Sequence, residues 1–582
     1  MTMKKTKLEL TWPGKEERPK LEPRILIEHS DKSYHAAARR EGDLFDNMLI
    51  KGDNLLALKA LEADYAGKVK CVYIDPPFNT KQAFPNYDDG MEHSLWLTLM
   101  RERLKHLRSL LSSDGTIFVH IDDNELGYLT VVCDEIFGRS NRINIITFKQ
   151  GSATGHKAIN PGVVTTSNFI LIYAKDKSLW KPNRVFSARA SRDKRYGRFI
   201  VNRDDPYTQW RFSTLSDAFS RHVGIPQRDL KKRLGDDLEP QLEAFVVENA
   251  ESVIRPARPD YNSVSAAARA MIDKSLASPK EIFRLERDDH ADFYLVGGER
   301  ILFYSDKLKM VDGKYVAGEP LTTIWDDILS NNLHNEGGVE FPKGKKPEAL
   351  IKRCFDLASA TGELVLDSFA GSGTTGAVAH KMGRRWIMVE IGDHADTHVV
   401  PRLQKVIDGV DQGGITKAVA WEGGGGFRYY TLAPSLLEKD RWGNWVISGE
   451  YNGPMLAEAM CKHLGFTYAP SQDEAEYWRH GQSSETDFLY VTTQSLTHEA
   501  LRLLSEEVGP RRTLMICAKA FSGNLDAFPN LTCRKIPSSI LTKCEWGRDD
   551  YSLNVAALPE VEPEPEDSAG PLFDAVEGQA NG

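Results

Sequence analysis

Three short apolar runs, each closed by an acid, punctuate the chain. Cys71-Val72-Tyr73-Ile74 ends at Asp75, Leu364-Val365-Leu366 ends at Asp367, and Trp386-Ile387-Met388-Val389 ends at Glu390. Continuous apolar runs of this length predict strands buried on both faces. Between the second and third, Ala377-Val378-Ala379-His380-Lys381-Met382 predicts a helix that Gly383 stops. Ile143 to Phe148 and Phe169 to Tyr173 are dominated by β-branched and aromatic residues. They predict two strands of an antiparallel edge. Beyond Tyr430, Phe488-Leu489-Tyr490-Val491 and Leu514-Met515-Ile516-Cys517 predict strands flanking a helix from Leu496 to Glu507, a βαβ-like unit. Strands alternating with helices make the expected class α/β.

The ends of two runs carry candidate chemistry. Asp75-Pro76-Pro77-Phe78 places a carboxylate, rigid backbone and one aromatic ring at the carboxyl end of a strand. Proline fixes φ and donates no hydrogen bond, so both ladder and helix must stop there. The result is a clamp for a flat molecule bearing an exocyclic amino group, although a plain strand-terminating turn reads the same way in isolation. About three hundred residues later, Ser368-Phe369-Ala370-Gly371-Ser372-Gly373-Thr374-Thr375-Gly376 joins a strand to a helix, and Glu390 follows about 20 residues on. Those are the parts of a Rossmann-like cofactor half. Gly371, Gly373 and Gly376 spell the dinucleotide fingerprint, so a nicotinamide dehydrogenase is a rival. Asp367 and Phe369 ahead of the glycines, and a second acid-proline-proline element, weigh against it. No Gly-Lys-Ser/Thr follows the loop, which removes Walker-type phosphate binding. His394 and His398 sit four apart without the glutamate a zincin needs, and the seven cysteines lack ligand spacing. No metal is expected.

In this order the motifs resemble the β-class of DNA amino-methyltransferases, in which the catalytic motif precedes the cofactor motif. The chain is similar in particular to the modification (Mod) subunits of type III restriction-modification systems. Leu49-Ile50-Lys51-Gly52-Asp53-Asn54-Leu55-Leu56, Gly115-Thr116-Ile117-Phe118-Val119-His120-Ile121-Asp122 and Phe341-Pro342-Lys343-Gly344-Lys345-Lys346-Pro347-Glu348 extend the match. The resemblance implies a Rossmann-like, circularly permuted methyltransferase sheet that uses S-adenosyl-L-methionine. It implies acceptor roles for Asp75 and the Pro76 carbonyl toward the amine of a flipped base, with Pro77 holding the turn and Phe78 stacking on the base. Glu390 is then expected at the ribose hydroxyls. Asp367 and the main chain of Phe369, Ala370, Gly371, Ser372 and Gly373 are expected at the methionine end, and Asp53 at the adenine end. Lys346 and Pro347 resemble the family's cofactor-side loop. Adenine N6 is the expected target, because Asp rather than Ser precedes the prolines; cytosine N4 is the chemical alternative.

Charge then locates the DNA. The chain of 582 residues carries a net charge of -9, so polyanion contact should be confined to a patch. Residues 181–235 form the basic exception, with thirteen Lys and Arg from Lys181-flanking Arg184 to Arg233 interleaved with Tyr196, Phe199, Tyr207, Trp210 and Phe212. The expected division is a mobile arm over 1–24, a catalytic half over 25–180 and a target-recognition domain over 181–335. A cofactor half over 336–430, an accessory α/β domain over 431–556 and a disordered acidic tail over 557–582 complete it. Double-stranded DNA is the expected partner, with a homodimer and a helicase-nuclease acting in trans as further possibilities. A sequence-reading scaffold for such a partner is the alternative to an active enzyme. No secretory signal or membrane-spanning run is read, so a cytoplasmic protein is expected.

Overall fold

The computed structural model describes residues 9–79, 93–151, 163–189, 191–287, 292–311, 313–328, 333, 336–339, 341 and 344–552. Its centre is an eleven-stranded mixed sheet. In chain order the strands are β1 (Leu26–Glu28), β2 (Tyr34–His35), β3 (Asn47–Lys51), β4 (Val69–Ile74), β5 (Leu111–Ile121), β6 (Arg142–Lys149), β7 (Ser167–Ala174), β8 (Ile324–Trp325), β9 (Leu364–Asp367), β10 (Arg385–Glu390) and β11 (Gly426–Leu432). Their spatial order is β1-β11-β3-β10-β9-β4-β5-β7-β6-β8, with β2 pairing to β11. The five-strand run from β3 to β5 is parallel throughout.

Alternate residues of the parallel strands feed two cores. Ile50, Val72, Ile74, Ile117, Val119, Leu366 and Val389 pack on one face, against α1 (Asn54–Tyr65), α2 (His93–Leu110) and α3 (Leu126–Cys133). Leu49, Cys71, Tyr73, Phe118, Val365, Trp386 and Met388 pack on the other, against α4 (Glu348–Ala358), α5 (Thr374–Lys381) and α6 (Val400–Ile407). Burial on both faces explains why these strands read as unbroken apolar runs rather than as alternation.

The connections fix the site. From β4 the chain crosses through α2 to β5 on one side, whereas from β9 it crosses through α5 to β10 on the other. Strand order therefore reverses between β4 and β9, which pair in parallel as Val365↔Cys71 and Leu366↔Val72. Ligands of open α/β sheets bind outside the carboxyl ends at such a switch point. Asp75 and Asp367 both lie there, although 292 residues of sequence number separate them.

Several expectations change. β6 and β7 are antiparallel as expected, but they are not the edge, because β8 adds a parallel strand beyond β6. That pairing returns the chain to the main sheet at Ile324, ahead of the expected domain limit at 335. Helix α5 begins at Thr374 rather than Ala377, because Gly373 at φ 75° supplies the left-handed entry residue. Residues 9–24 are not a mobile arm. Trp12 and Lys15 are buried against α2, where Trp12 Nε1 donates to Thr98 Oγ1 and Arg101 donates to the Lys15 carbonyl. Glu22 and Arg24 are buried together and reach Leu436 and Ala433 at the start of the accessory domain. Residues 1–8 and the whole of the acidic tail, 557–582, lie outside the described residues.

The insertion folds around its own core of Tyr196, Leu215, Phe219, Phe245, Val246, Val253 and Tyr304, beneath a six-stranded antiparallel sheet. The accessory region holds a five-stranded sheet in which Asp487–Val491 and Thr513–Ala518 pair in parallel around the helix His498–Val508. This is the predicted βαβ unit, with its helix starting two residues later because Thr497 caps it. Among the described residues, no helix is long and apolar enough to cross a membrane, and no group of three His, Cys, Asp or Glu could hold a metal ion.

Candidate active site

Asp75 follows β4 directly, and its carboxylate is held asymmetrically. Oδ2 accepts from Lys346 Nζ at 2.5 Å, whereas Oδ1 is buried without a hydrogen-bond partner. His120 Nδ1 on β5 lies 3.8 Å from Oδ1. Burial raises the Asp75 pKa, and the Lys346 ammonium opposes that rise. An unpartnered carboxylate oxygen in a buried setting is costly unless something occupies it. The site is therefore built to accept a donor.

The prolines divide their carbonyls. Pro77 accepts from Trp96 Nε1 on α2 at 2.8 Å, which pins the turn to the helix. The Pro76 carbonyl, by contrast, has no donor among the described residues. Phe78 is half-buried, 5.6 Å centroid to centroid from the His120 ring, and the Lys346 ammonium stands 4.8 Å from its centroid. Asn79, at φ 60°, turns the chain away and donates to Glu125, which also accepts from His93.

Behind the clamp sits a buried polar relay that sequence reasoning missed. His120 lies between Tyr73 Oη at 3.0 Å and the Asn168 amide at 3.2 Å. Burial, with Lys346 adding to it, holds the ring neutral by depressing its pKa far below the usual range. His120 fell within a motif quoted from β5, but nothing in sequence pairs it with Tyr73 and Asn168 on the neighbouring strands.

The glycine loop lies across the switch point. Asp367 Oδ1 accepts from the Phe369 amide at 2.8 Å and Oδ2 from Thr375 Oγ1 at 2.5 Å. Its pKa is pushed up to about 7, first by burial and then by the charges of Asp75 and Glu390, against those two hydrogen bonds. Glu390 Oε2 accepts from the Gly371 amide at 2.7 Å, and Oε1 accepts from the Gly392 amide at 2.9 Å. His394 Nε2 approaches the same Oε1 at 3.1 Å. Gly371 and Gly373 have positive φ, and a Cβ on Gly376 would lie 2.3 Å from Met388 Cε. The third glycine thus lets α5 pack against β10, as in dinucleotide folds.

One observation in particular fits these residues to S-adenosylmethionine as cofactor. Ser368 Oγ, like Asp75 Oδ1, is buried without a partner, so two unsatisfied polar atoms flank the ends of β9 and β4. Ser368 is itself fixed through its carbonyl, which accepts from Asn54 Nδ2 at 2.7 Å.

Asp53 stands apart from this group. Its Oδ1 caps α1 through the Leu55 and Leu56 amides, and its Oδ2 accepts from the Tyr551 amide at 3.0 Å and faces Arg103 at 3.4 Å. Both oxygens are thus engaged by protein, under a strap of chain that returns from the accessory domain. Lys346, matched in sequence to a cofactor-side loop, reaches the Asp75 carboxylate.

One buried network ties the start of α4 to the glycine loop. Glu348, the first residue of α4, pairs with Lys381 and Arg402 at 2.8 Å each and accepts from the Ile415 amide at 3.1 Å. Arg402 continues to Thr374 Oγ1 at 2.6 Å and to the Ser372 carbonyl at 3.3 Å. The segment bearing Lys346 and the cofactor loop therefore share one ionic anchor.

In the basic segment of the insertion, Tyr196 and Trp210 are buried core residues. Several arginines are paired, with Arg189 and Arg195 on Asp193 and Arg192 on Glu239. Lys194, Arg198, Arg211, Lys231, Lys232 and Arg233 are exposed.

Comparison with known proteins agrees with this geometry. The DNA methylase family profile of the N6/N4 type matches residues 69–398. The chain is 36% identical over 421 residues to a probable type III restriction-modification enzyme HindVI Mod subunit of Haemophilus influenzae, covering 68% of this chain and 55% of that protein. It is 26% identical over 578 residues to the EcoP15I Mod subunit of Escherichia coli, covering 87% of this chain and 85% of that protein. It is 34% identical over 410 residues to the type II methyltransferase M.EcaI of Enterobacter cloacae, covering 68% of this chain and 77% of that protein. The chain thus spans about half the length of the first of these relatives and most of the second. With a family match that runs from β4 through the glycine loop to Glu390 and beyond, the chain belongs to the N6/N4 DNA methylase family.

Proposed function

We propose that this protein transfers a methyl group from S-adenosylmethionine to N6 of an adenine flipped out of duplex DNA, as the modification subunit of a restriction-modification system. The observation that carries the reading is the unpartnered Asp75 Oδ1 beside the Pro76 carbonyl and the Phe78 ring. An exocyclic amine is a weak nucleophile because its lone pair is delocalised into the ring. Two acceptors, Asp75 and the Pro76 carbonyl, would draw both N–H groups out of conjugation and free that lone pair. Phe78 would hold the base by its face. The cofactor supplies an electrophilic methyl on a sulfonium. Transfer replaces one N–H by N–CH3, so a proton must leave, and Asp75 is the group in contact to receive it before solvent does. Positioning and electrostatics then account for the rate.

Asp367 and Glu390 are the proposed cofactor acids. Glu390 would keep the glycine loop in place through the Gly371 amide while its remaining lone pairs serve the ribose. A pKa near 7 at Asp367 has a testable consequence. Asp367 should give up its proton when the cationic sulfonium docks, so cofactor affinity should rise with pH up to about 7 and level off above it. Well below that pH the slope approaches about tenfold per unit. Calorimetry in buffers of different ionisation enthalpy should show proton release at pH 6 and little at pH 8.5. Asp367→Asn should remove that release.

The Mod relatives support a helicase-nuclease partner in trans, whereas the type II relative supports a free-standing methyltransferase. Co-purification with the product of an adjacent gene distinguishes the two, and sedimentation of the full chain tests the proposed homodimer. DNA contact is assigned to the exposed cations of the insertion, with the cation contacts giving affinity and base edges giving sequence. Sequencing of modified bases in cells with and without the gene tests the whole reading. Methylated adenine in one motif supports it, and unchanged DNA refutes it.

A further inference from the structure

We infer that Lys346 is a positioning residue of the clamp, whose ammonium stands over the Phe78 face where the target base must stack and is displaced by the incoming base. This deepens the proposed methyl transfer and rests on it. The Lys346 nitrogen closes the clamp through two contacts. It donates to Asp75 Oδ2 at 2.5 Å and stands 4.8 Å from the Phe78 centroid. Its side chain is largely buried, and its backbone immediately precedes Pro347 at the start of α4. The buried Glu348 network anchors that start. Four methylenes between a fixed backbone and the clamp allow the ammonium to swing out without moving the helix.

Charge explains why a lysine serves better than an apolar plug. Among the described residues, Asp75 faces four titratable groups: Lys346, His120 on β5, Tyr73 on its own strand and Asp367 on β9. His120 is held neutral and Asp367 is an acid, so Lys346 alone opposes protonation of Asp75. It keeps the acceptor ionised until a base arrives. A cation left in the clamp would also repel the sulfonium, so departure of Lys346 prepares the site for both reactants.

The test compares Lys346→Met and Lys346→Arg in methyl transfer onto unmethylated plasmid DNA across pH. Removing the internal competitor should lower the KM for DNA at high pH. The acidic limb of kcat/KM should move to higher pH, because Asp75 now protonates more readily. Lys346→Arg should return the limb to its wild-type position. A purely structural lysine would scale kcat and KM without moving the limb, and that result overturns the inference. A second readout needs no methyl transfer. Amine labelling followed by mass spectrometry should find Lys346 protected in the wild-type chain and reactive in Asp75→Asn. Equal labelling in both would overturn the placement of Lys346. Absence of methyl transfer by the wild type, with Lys346 still protected through Asp75, would instead refute the proposed function.

Discussion

Replacing Asp75 with alanine should lower methyl transfer by about 10³-fold, the scale seen when a preorganised group that meets developing charge is removed. Cofactor binding should persist, because Asp367, Ser368 and Glu390 lie on β9, the glycine loop and β10 and do not hydrogen-bond to Asp75. The variant should also remain folded. Asp75 contributes no hydrogen bond to the sheet, and its one strong partner, Lys346, is a flexible side chain. Equilibrium binding of labelled S-adenosylmethionine alongside initial rates separates the two effects. Loss of both together would mean that Asp75 supports the fold or the cofactor site rather than the amine.

The second large effect concerns stability. Glu348→Ala should destabilise the methyltransferase domain by about 3–5 kcal/mol, since removing one partner of a buried network leaves the opposite charges uncompensated. Lys381 would keep Asp411, at 2.7 Å, and the Gly413 carbonyl, and Arg402 would lose its only carboxylate among the described residues. With a unit of this size shifting by roughly 2–4 °C per kcal/mol, thermal unfolding should fall by roughly 10 °C. Because Arg402 also holds Thr374 and the Ser372 carbonyl, the KM for cofactor should rise in whatever fraction stays folded. A melting curve unchanged by the substitution would show that the network is not a keystone.

Much of this was legible in sequence because the informative residues sit at the ends of strands. The apolar runs before Asp75, Asp367 and Glu390 are parallel strands buried on both faces, and such runs announce themselves without any partner being known. Gly373 and Gly376 were readable for the same reason, since local backbone demands select glycine. What sequence hid were contacts between distant segments. Asp53 looked like a cofactor acid after a strand, yet its second oxygen is engaged by Tyr551, 498 residues later. Residues 9–24 looked mobile from their Lys, Glu and Pro content, but Lys15 is paired with Glu135 and Glu22 with Arg24, each buried. Composition cannot show that a charge has a partner. Tyr196 and Trp210 stand next to arginines in sequence, but a small inserted domain needs its own core and uses them there. Lys346 carried too little weight in sequence because its proximity to Asp75 arises only when β9 docks against β4.

The same dependence on tertiary pairing defines the most direct test. Purified full-length protein, unmethylated DNA and S-adenosylmethionine are incubated together, and the DNA is digested to nucleosides for mass spectrometry, with Asp75→Ala in parallel. N6-methyldeoxyadenosine formed by the wild type and absent from the variant is the predicted result. N4-methyldeoxycytidine in its place, or no methylated nucleoside from a wild-type protein that binds the cofactor, would contradict it.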